Sequence, residues 1–505
     1  MKKSRKVISF VLCLALVAGA FSTACFAAEK KDINYIITNP YADVDWNTWQ
    51  QYKADLHSHS TQSDGDNTLK YQVEAHYDYG FDIYALTDHG TTSYSWLEDN
   101  YEPTIKVGVA VKDSLTPLEH LEETGTAANG NTYYVESTPL SDAKGDTQDY
   151  YYQEGESDGH KMLRVPFGIE NNPTSLNNAH VNSWFVDYGN GVLGGTSDYE
   201  TPIKAVDELG GLSVINHPGE YTNARDEDET ADAYDYSNSH YKYDIDKFTN
   251  LLANYPSCIG IDMNSKGDSR TRYDRKLWDI LLMNLTPAGR NVLGICSSDS
   301  HNSGIIYSGY IEAVMPELTV AAFRQSLETG AFFGCSKYLG NPEELTDIAN
   351  YCVNSSNPDA VDVGGIILDA QAENPKFKYE APFDVDAPVV NSVKVDDAAD
   401  TITIAATDAL CIRWIANGKT IAYGNTIDLD DYSDEIGAYV RAEIFGEGGI
   451  VYVEPFVLDY SEAPEANINR SFFDFGFLAS AIPDSIVKFI GSLHIFRIIF
   501  EALTR

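Results

Sequence analysis

Apolar runs that stop at a metal-binding side chain recur along this chain, and that recurrence limits the folds open to it. Tyr84-Ala85-Leu86 precedes Asp88-His89, Val165-Pro166-Phe167-Gly168-Ile169 precedes Glu170, Leu212-Ser213-Val214-Ile215 precedes His217, and Val292-Leu293-Gly294-Ile295 precedes Asp299-Ser300-His301. Asp55-Leu56-His57-Ser58-His59, Asp64 and His180 complete the set. Runs of this kind read as strands buried on both faces, as in parallel sheets. Parallel strands alternating with helices place their C-terminal ends on one face, so residues scattered between 55 and 301 can converge on one site.

The surrounding text keeps that rhythm. From Tyr52 to about Tyr338 strand-like runs alternate with helix-like ones, such as Leu69 to Tyr79, stopped by Gly80 before Phe81 to Leu86. The expectation is an α/β domain over 29–345. The rhythm breaks at 91–164, a polar, tyrosine-rich stretch containing Asp149-Tyr150-Tyr151-Tyr152, which reads as an insertion over the strand ends. Val320 to Gly330 reads as a helix leading into a last barrel strand, Ala331 to Ser336. Between 384 and 460 the texture changes to short strands, Val389–Val395, Thr401–Ala405, Cys411–Ala416, Tyr439–Ile444 and Ile450–Val457. Turn-like sequences separate them, as in a small all-β sandwich.

The two ends differ from the middle. Met1 to Lys6 carry four positive charges, Val7 to Phe21 are almost wholly apolar, and small residues follow at Ala27 and Ala28, the pattern of a secretory signal peptide over 1–28. The tail 471–505 is rich in Phe, Ile and Leu but interrupted by Pro483, Lys488, His494, Arg497 and Glu501, which argues against a spanning helix. It reads as an amphipathic segment for the body of the protein, a membrane surface or a second copy. A formal charge of −41 excludes nucleic acid as a natural partner, because phosphate binding needs a basic surface. Cys258, Cys296, Cys335, Cys352 and Cys411 remain beyond the leader; an odd, irregular set forms no disulfide framework.

His57 and His59, one residue apart on an extended segment, point to the same side and can grip one cation. They are followed in order by Ser63-Asp64-Gly65, Thr87-Asp88-His89-Gly90, Asn216-His217-Pro218 and Ser298-Asp299-Ser300-His301. That ordered set resembles the PHP (polymerase and histidinol phosphatase) superfamily over roughly Tyr52 to Tyr338. The resemblance implies a distorted (β/α)7 barrel holding two or three divalent transition-metal ions, zinc, manganese or iron. By that resemblance His57, His59, Glu170 and Asp299 hold a first ion; Glu170 bridges to a second, completed by His180 and His217; Asp64, His89 and His301 hold a third. Asp88 supports the ligands from behind. Asp262, at the end of a strand, sits where relatives often carry an acid, and a structural role is equally open to it. His76, in a helix, reads as a packed or surface residue outside the chemistry.

Arg413-Trp414-Ile415-Ala416-Asn417-Gly418 and Gly446-Glu447-Gly448-Gly449 are similar to the sandwich of the secreted, carbaryl-hydrolase-like branch. The implied activity is that of a secreted metal-dependent phosphoesterase acting on a small-molecule phosphoester. Paired metals lower the pKa of a shared water toward neutrality and hold the resulting hydroxide against phosphorus. His89, His217 or His301 would protonate the leaving oxygen. Two alternatives remain at this point: hydrolysis of an amide, carbamate or carboxyl ester on the same metals, and a noncatalytic surface or interaction protein.

Overall fold

The computed structural model describes residues 33–99, 119–155, 159–171, 179–189, 199–222, 224 and 233–472. The expected leader 1–28 and the tail from 473 lie outside them. Among the described residues the fold is mixed α/β, and no helix is long and apolar enough to cross a membrane.

Two sheets carry the architecture. The larger runs in the order Lys419–Tyr423, Cys411–Ala416, Tyr439–Gly446, Gly449–Asp459, Phe332–Ser336, Gly309–Met315, Gln50–Asp55, Ile83–Tyr84, Met162–Arg164, Thr147–Gln153, Thr132–Pro139, Thr124–Thr126. The second runs Leu293–Cys296, Cys258–Asn264, Leu212–Ile215, Val181–Trp184, Ile169–Asn171. They touch through two isolated bridges, Ser58 with Ser300 and His89 with Glu170, and do not close into one continuous hydrogen-bonded barrel. One reason lies in Val165 to Ile169, expected to be a single strand. Phe167 adopts φ 59°, which ends one strand and starts another. Met162–Arg164 therefore stays in the first sheet while Ile169–Asn171 joins the second.

The expected all-parallel arrangement holds only in part. Gln50–Asp55, Ile83–Tyr84 and Met162–Arg164 are parallel, as are Leu212–Ile215, Cys258–Asn264 and Leu293–Cys296. Val181–Trp184 runs antiparallel to both its neighbours. An antiparallel strand offers its N-terminal end where parallel neighbours offer their C-terminal ends, so His180, just before this strand, still reaches the shared face.

The core follows the two-residue period of strands. Val214 and Ile295 join Leu56, Ile83, Ala85, Val165, Leu293 and Ile311 in one apolar cluster. Their neighbours Ile215 and Cys296 pack instead with Leu277, Trp278 and Leu281 of the helix Asp274–Leu285. Strands buried on both faces are what the apolar runs encode.

The stretch 91–164 also hides a regular element. Thr124–Thr126, Thr132–Pro139 and Thr147–Gln153 form an antiparallel ribbon on Met162–Arg164. Its tyrosines stack across strands, Tyr133 on Tyr151 and Tyr134 on Tyr152. The buried Arg164 donates to Asp149 at 2.7 Å and to the carbonyls of Gly145 and Thr147.

The C-terminal strands form where the sequence suggests, but they are not all a separate sandwich. Gly449–Asp459 pairs directly with Phe332–Ser336, so the large sheet is continuous across the linker. Val389–Asp396, Thr401–Thr407 and Thr426–Asp428 make a small sheet of their own. A buried ion network adds a second tie. Arg441 donates to both oxygens of Asp279 at 2.7 and 2.8 Å and to Glu443 at 2.5 Å, while Arg413 reaches Glu443 and, at 2.9 Å, Asp347. Removing one member of such a network strands a buried charge, at a cost of about 3–5 kcal/mol. Arg441→Met is therefore expected to shift urea denaturation by that amount; an unchanged midpoint would show that the network does not join the two regions energetically.

Candidate metal centre

The strand Gln50–Asp55 ends in a buried carboxylate that organises the chain around it. Asp55 Oδ1 accepts from the backbone N–H groups of His57 at 3.2 Å and Ser298 at 3.1 Å. Its Oδ2 accepts from Ser298 Oγ at 2.5 Å and faces His76 Nε2 at 3.1 Å. The His57-Ser58-His59 segment is then held on both sides, by His59 N to Ser300 O at 2.9 Å and Thr87 N to Ser58 O at 2.9 Å. Gln72 donates to the His59 carbonyl at 2.5 Å.

Held this way, His57 and His59 point into the same space, their Nε2 atoms 3.2 Å apart. Glu170 Oε2 lies 3.4 Å from His57 Nε2, 3.3 Å from His59 Nε2 and 3.1 Å from His89 Nδ1. Its other oxygen lies 2.9 Å from His180 Nδ1, 3.3 Å from His217 Nε2 and 2.7 Å from Asn216 Nδ2. Asp299 Oδ1 is 3.4 Å from His57, 3.2 Å from His59 and 3.5 Å from His301, and its Oδ2 is 3.5 Å from His217. Asp64 Oδ2 faces His89 at 3.5 Å and His301 at 3.4 Å. All nine expected ligands, His57, His59, Asp64, His89, Glu170, His180, His217, Asp299 and His301, thus converge.

Four groups bring their donor atoms within 4.8 Å of one another: His59-Asp64-His89-His301, His57-His59-Glu170, His57-His217-Asp299 and His89-Glu170-His180. Asp64, His89 and His301 stay together and Glu170 Oε1 lies beside both His180 and His217, as expected, but the groups also overlap in further ways. His89 joins Glu170 and His180, and His217 falls with His57 and Asp299. The reason is geometric: Glu170 and Asp299 sit between the imidazoles, so each carboxylate serves several groups.

The donor set suits a divalent cation. Asp299 Oδ1 and the Nδ1 atoms of His57 and His217 make no hydrogen bond although all three residues are buried, while Asp299 Oδ2 pairs with the Lys266 ammonium at 3.0 Å. Groups of this kind cost free energy to bury unless something charged meets them. Two of the ligands also hold left-handed backbone, His217 at φ 26° and Asp299 at φ 47°, strain of the sort stored at functional sites.

Charge confirms how tightly the groups act on one another. Burial alone would raise the Glu170 carboxyl, but His180, His57 and His89 outweigh it and hold it well below the usual range. Burial likewise opposes a charged His57, yet Asp299 and Glu170 push it up to about 10. For His180 burial wins over Glu170 and brings it down to about 4. The opening of the centre lies over Asp64, 42% exposed, and His301, 32% exposed, with the other ligands buried or nearly so.

Asp88, expected to support the ligands, accepts from Ser60 N at 2.7 Å, Ser60 Oγ at 2.6 Å and Ser63 Oγ at 2.5 Å. It braces the turn carrying Asp64 and enters none of the four groups. Asp262 stands 3.8 Å behind His57 Nδ1 and accepts from Ser297 at 2.9 Å.

Four neighbours escaped the sequence reading. Asn216 and Glu220 flank His217-Pro218, Tyr221 Oη lies 2.9 Å from His180 Nε2, and Lys266 Nζ lies 3.0 Å from Asp299 Oδ2. Position after a strand end was the available signal for Lys266.

No protein-family model matches the chain, and no curated protein does. Among solved structures, a two-domain protein containing a predicted PHP-like metal-dependent phosphoesterase from Bacteroides vulgatus is similar at 14% identity. The match covers 84% of this chain and 89% of that one, with a TM-score of 0.36.

His76 is packed, one of the two places the sequence reading allowed it, and it sits behind the ligands and not among them. It is fully buried, stacks on Tyr84 at 4.0 Å, holds the Gln72 carbonyl at 2.7 Å and touches Asp55. Supports of this kind typically contribute about 10- to 100-fold to metal affinity. His76→Ala is expected to give up its divalent ions at a correspondingly lower concentration of competing chelator; retention equal to that of the parent chain would show that Asp55 stays aligned without it.

Proposed function

We propose that this chain is an exported metal-dependent phosphoesterase with two or three divalent transition-metal ions, built on a distorted PHP-type barrel. The observation that supports it is the convergence of His57, His59, Asp64, His89, Glu170, His180, His217, Asp299 and His301 into four overlapping groups around orphaned buried atoms. A noncatalytic scaffold has no need for so many buried ionisable groups beside an opening. Bound there, divalent ions would supply an activated water and neutralise charge building on the phosphoryl oxygens.

The protein's own residues do the rest. Glu170 and Asp299, shared between groups, would each hold more than one ion. Asp55 and Asp88 hold the ligand-bearing turns, and Asp262 stands behind the His57 ring. His301, on the open side of the centre, is the group placed to hand a proton to a departing alcohol. His89 and His217 are enclosed among carboxylates and serve as ligands in this scheme.

Elemental analysis of protein reconstituted with zinc, manganese or iron is expected to give two or three ions per chain. His59→Ala and Asp299→Ala are expected to abolish hydrolysis of phosphoesters while the chain stays folded. Fewer than one ion per chain would end the proposal; turnover of carboxyl esters or amides alone would move it to carbon electrophiles.

The tail 471–505 is proposed to dock on the body of the protein, a second copy or a membrane surface. Where it begins, Asn469 donates to Asp246 at 2.8 Å and Phe472 meets Tyr243, so residues 469–472 lie against the helix Ser239–Asn254. Truncation after Phe472 is expected to preserve metal content and turnover and to reduce liposome retention or self-association; lost turnover in a folded, metal-loaded chain would contradict this.

A further inference from the structure

Among the described residues stand five cysteines, all buried: Cys258, Cys296, Cys335, Cys352 and Cys411. Three lie in central strands, Cys258–Asn264, Leu293–Cys296 and Phe332–Ser336, where burial pushes the thiols up, Cys258 to about 12. The other two meet where the helix Pro342–Cys352 packs on the strand Cys411–Ala416.

Polar and aromatic contacts set the register of that meeting. Asp347 accepts from Thr420 at 2.6 Å and from Arg413 at 2.9 Å, and Thr420 pairs with Ile415 in the sheet. One turn on, Tyr351 lies flat on Tyr423 with 4.4 Å between ring centres, and Tyr423 pairs with Arg413. The helix therefore advances along the strand from Ile415 toward Cys411. From Asp347 to Cys352 the helix climbs about 7.5 Å, and from Arg413 to Cys411 the strand spans about 6.7 Å, so the two cysteines come level. Alternation along the strand turns Cys411 and Arg413 to the helix side, while Ile412 and Trp414 pack in the opposite cluster. Gly364 lets the helix Pro358–Glu373 close over the same spot, since a Cβ there would lie 2.8 Å from the Cys352 Cβ. The thiols end in contact: Cys411 donates a hydrogen bond to Cys352, which holds the Cys352 thiol below its ordinary range and Cys411 above it.

We infer that Cys352 and Cys411 close a disulfide when the chain folds in oxidising surroundings, fastening the helix Pro342–Cys352 to the large sheet. An odd number of cysteines excludes a complete framework and still admits one bridge. The inference stands apart from the phosphoesterase reading and suits an exported chain, because structural disulfides persist outside a reducing cytosol. The oxidant is a disulfide of the glutathione class or that of a thiol oxidoreductase. The Cys352 thiolate attacks one of its sulfurs, forming a mixed disulfide and expelling one thiolate; Cys411 then gives up its proton and attacks Cys352 Sγ, expelling the other. Two protein thiols become one S–S bond, and the oxidant leaves as two thiols with the two electrons and two protons. The loop so closed carries the helix Pro358–Glu373 and the strands Val389–Asp396 and Thr401–Thr407, and closing a long loop restricts the unfolded chain.

The full chain made in a host with an oxidising cytoplasm, where no export is needed, tests the bridge. Denatured in acid, blocked with N-ethylmaleimide and digested, it is expected to yield a peptide pair joined through Cys352 and Cys411, with Cys258, Cys296 and Cys335 alkylated. A phosphine reductant is expected to lower its thermal midpoint by several degrees at unchanged metal content, and to leave the midpoint of Cys352→Ser where it was. Alkylation of both Cys352 and Cys411, a bridge from either one to another cysteine, or a parent midpoint indifferent to the reductant would each overturn the inference. Should Cys352→Ser fail to fold, Cys411→Ala carries the control: a midpoint that no longer responds to the reductant supports the bridge, and one that still falls as in the parent overturns it. Neither readout involves hydrolysis, so a chain that cleaves no phosphoester leaves this inference untouched.

Discussion

Glu170 and Asp299 are carboxylates buried almost completely among imidazoles, and the arrangement of the whole upper face answers to them. A buried anion is tolerated only when matched by positive charge and hydrogen bonds. Asn216 supplies one hydrogen bond to Glu170, and Lys266 supplies one cation to Asp299. The remaining demand falls on the histidines, which meet it by holding protons or by holding metal ions. A ring nitrogen cannot do both at once, so the same geometry that keeps the ion-free chain balanced is the one that offers ligands when ions arrive. This is why the ligands reach their positions from so many strands: two carboxylates set between six imidazoles require approach from every side.

A layer of fixed contacts behind the cluster makes that approach possible. Asp55 joins the strand ends before His57 and Asp299, Asp88 gathers Ser60 and Ser63 under Asp64, and Asp262 stands behind His57. Each acid serves backbone N–H groups, hydroxyls or an imidazole and leaves the centre itself to others. The helix Leu69–Asp78 contributes through Gln72 and His76, so a helix with no ligand of its own still fixes both histidines of the first motif. Outer contacts of this kind set ring orientation and ligand basicity.

The convergence of His89, Glu170, His217 and Asp299 was legible because each follows an apolar run with a side chain that is seldom buried idly. Short sheet elements were legible for a similar reason, as at Leu212–Ile215 and Cys411–Ala416, where residue type and flanking turns agree. Strand direction was not legible. Nothing local in Val181–Trp184 distinguishes an antiparallel strand from a parallel one, since it is buried along its whole length as its parallel neighbours are. Phe167 conceals a break because a phenylalanine at positive φ carries no glycine to announce it. His76 looked ordinary because its partner, Asp55, is 21 positions away in sequence. The ribbon inside 91–164 was hidden by composition, since its tyrosines satisfy each other across strands while their hydroxyls keep the stretch polar.

The continuity of the large sheet changes what the C-terminal strands contribute. A detached sandwich could move against the metal centre, but Gly449–Asp459 is hydrogen-bonded to Phe332–Ser336, which in turn pairs with Gly309–Met315 beside Gln50–Asp55. These strands are thereby joined by continuous pairing to the strand that delivers Asp55, His57 and His59. The Arg441 network fastens the same strands to the helix Asp274–Leu285, whose N-terminal Asp274 accepts from Gly219 N at 3.1 Å in the turn after His217. Two routes, one through a sheet and one through a helix, therefore connect the C-terminal region to opposite sides of the cluster. Rigidity there costs nothing in chemistry and limits drift of ligands that must stay within a few ångströms of one another, which is reason enough for this region to be fused to the site and not appended to it.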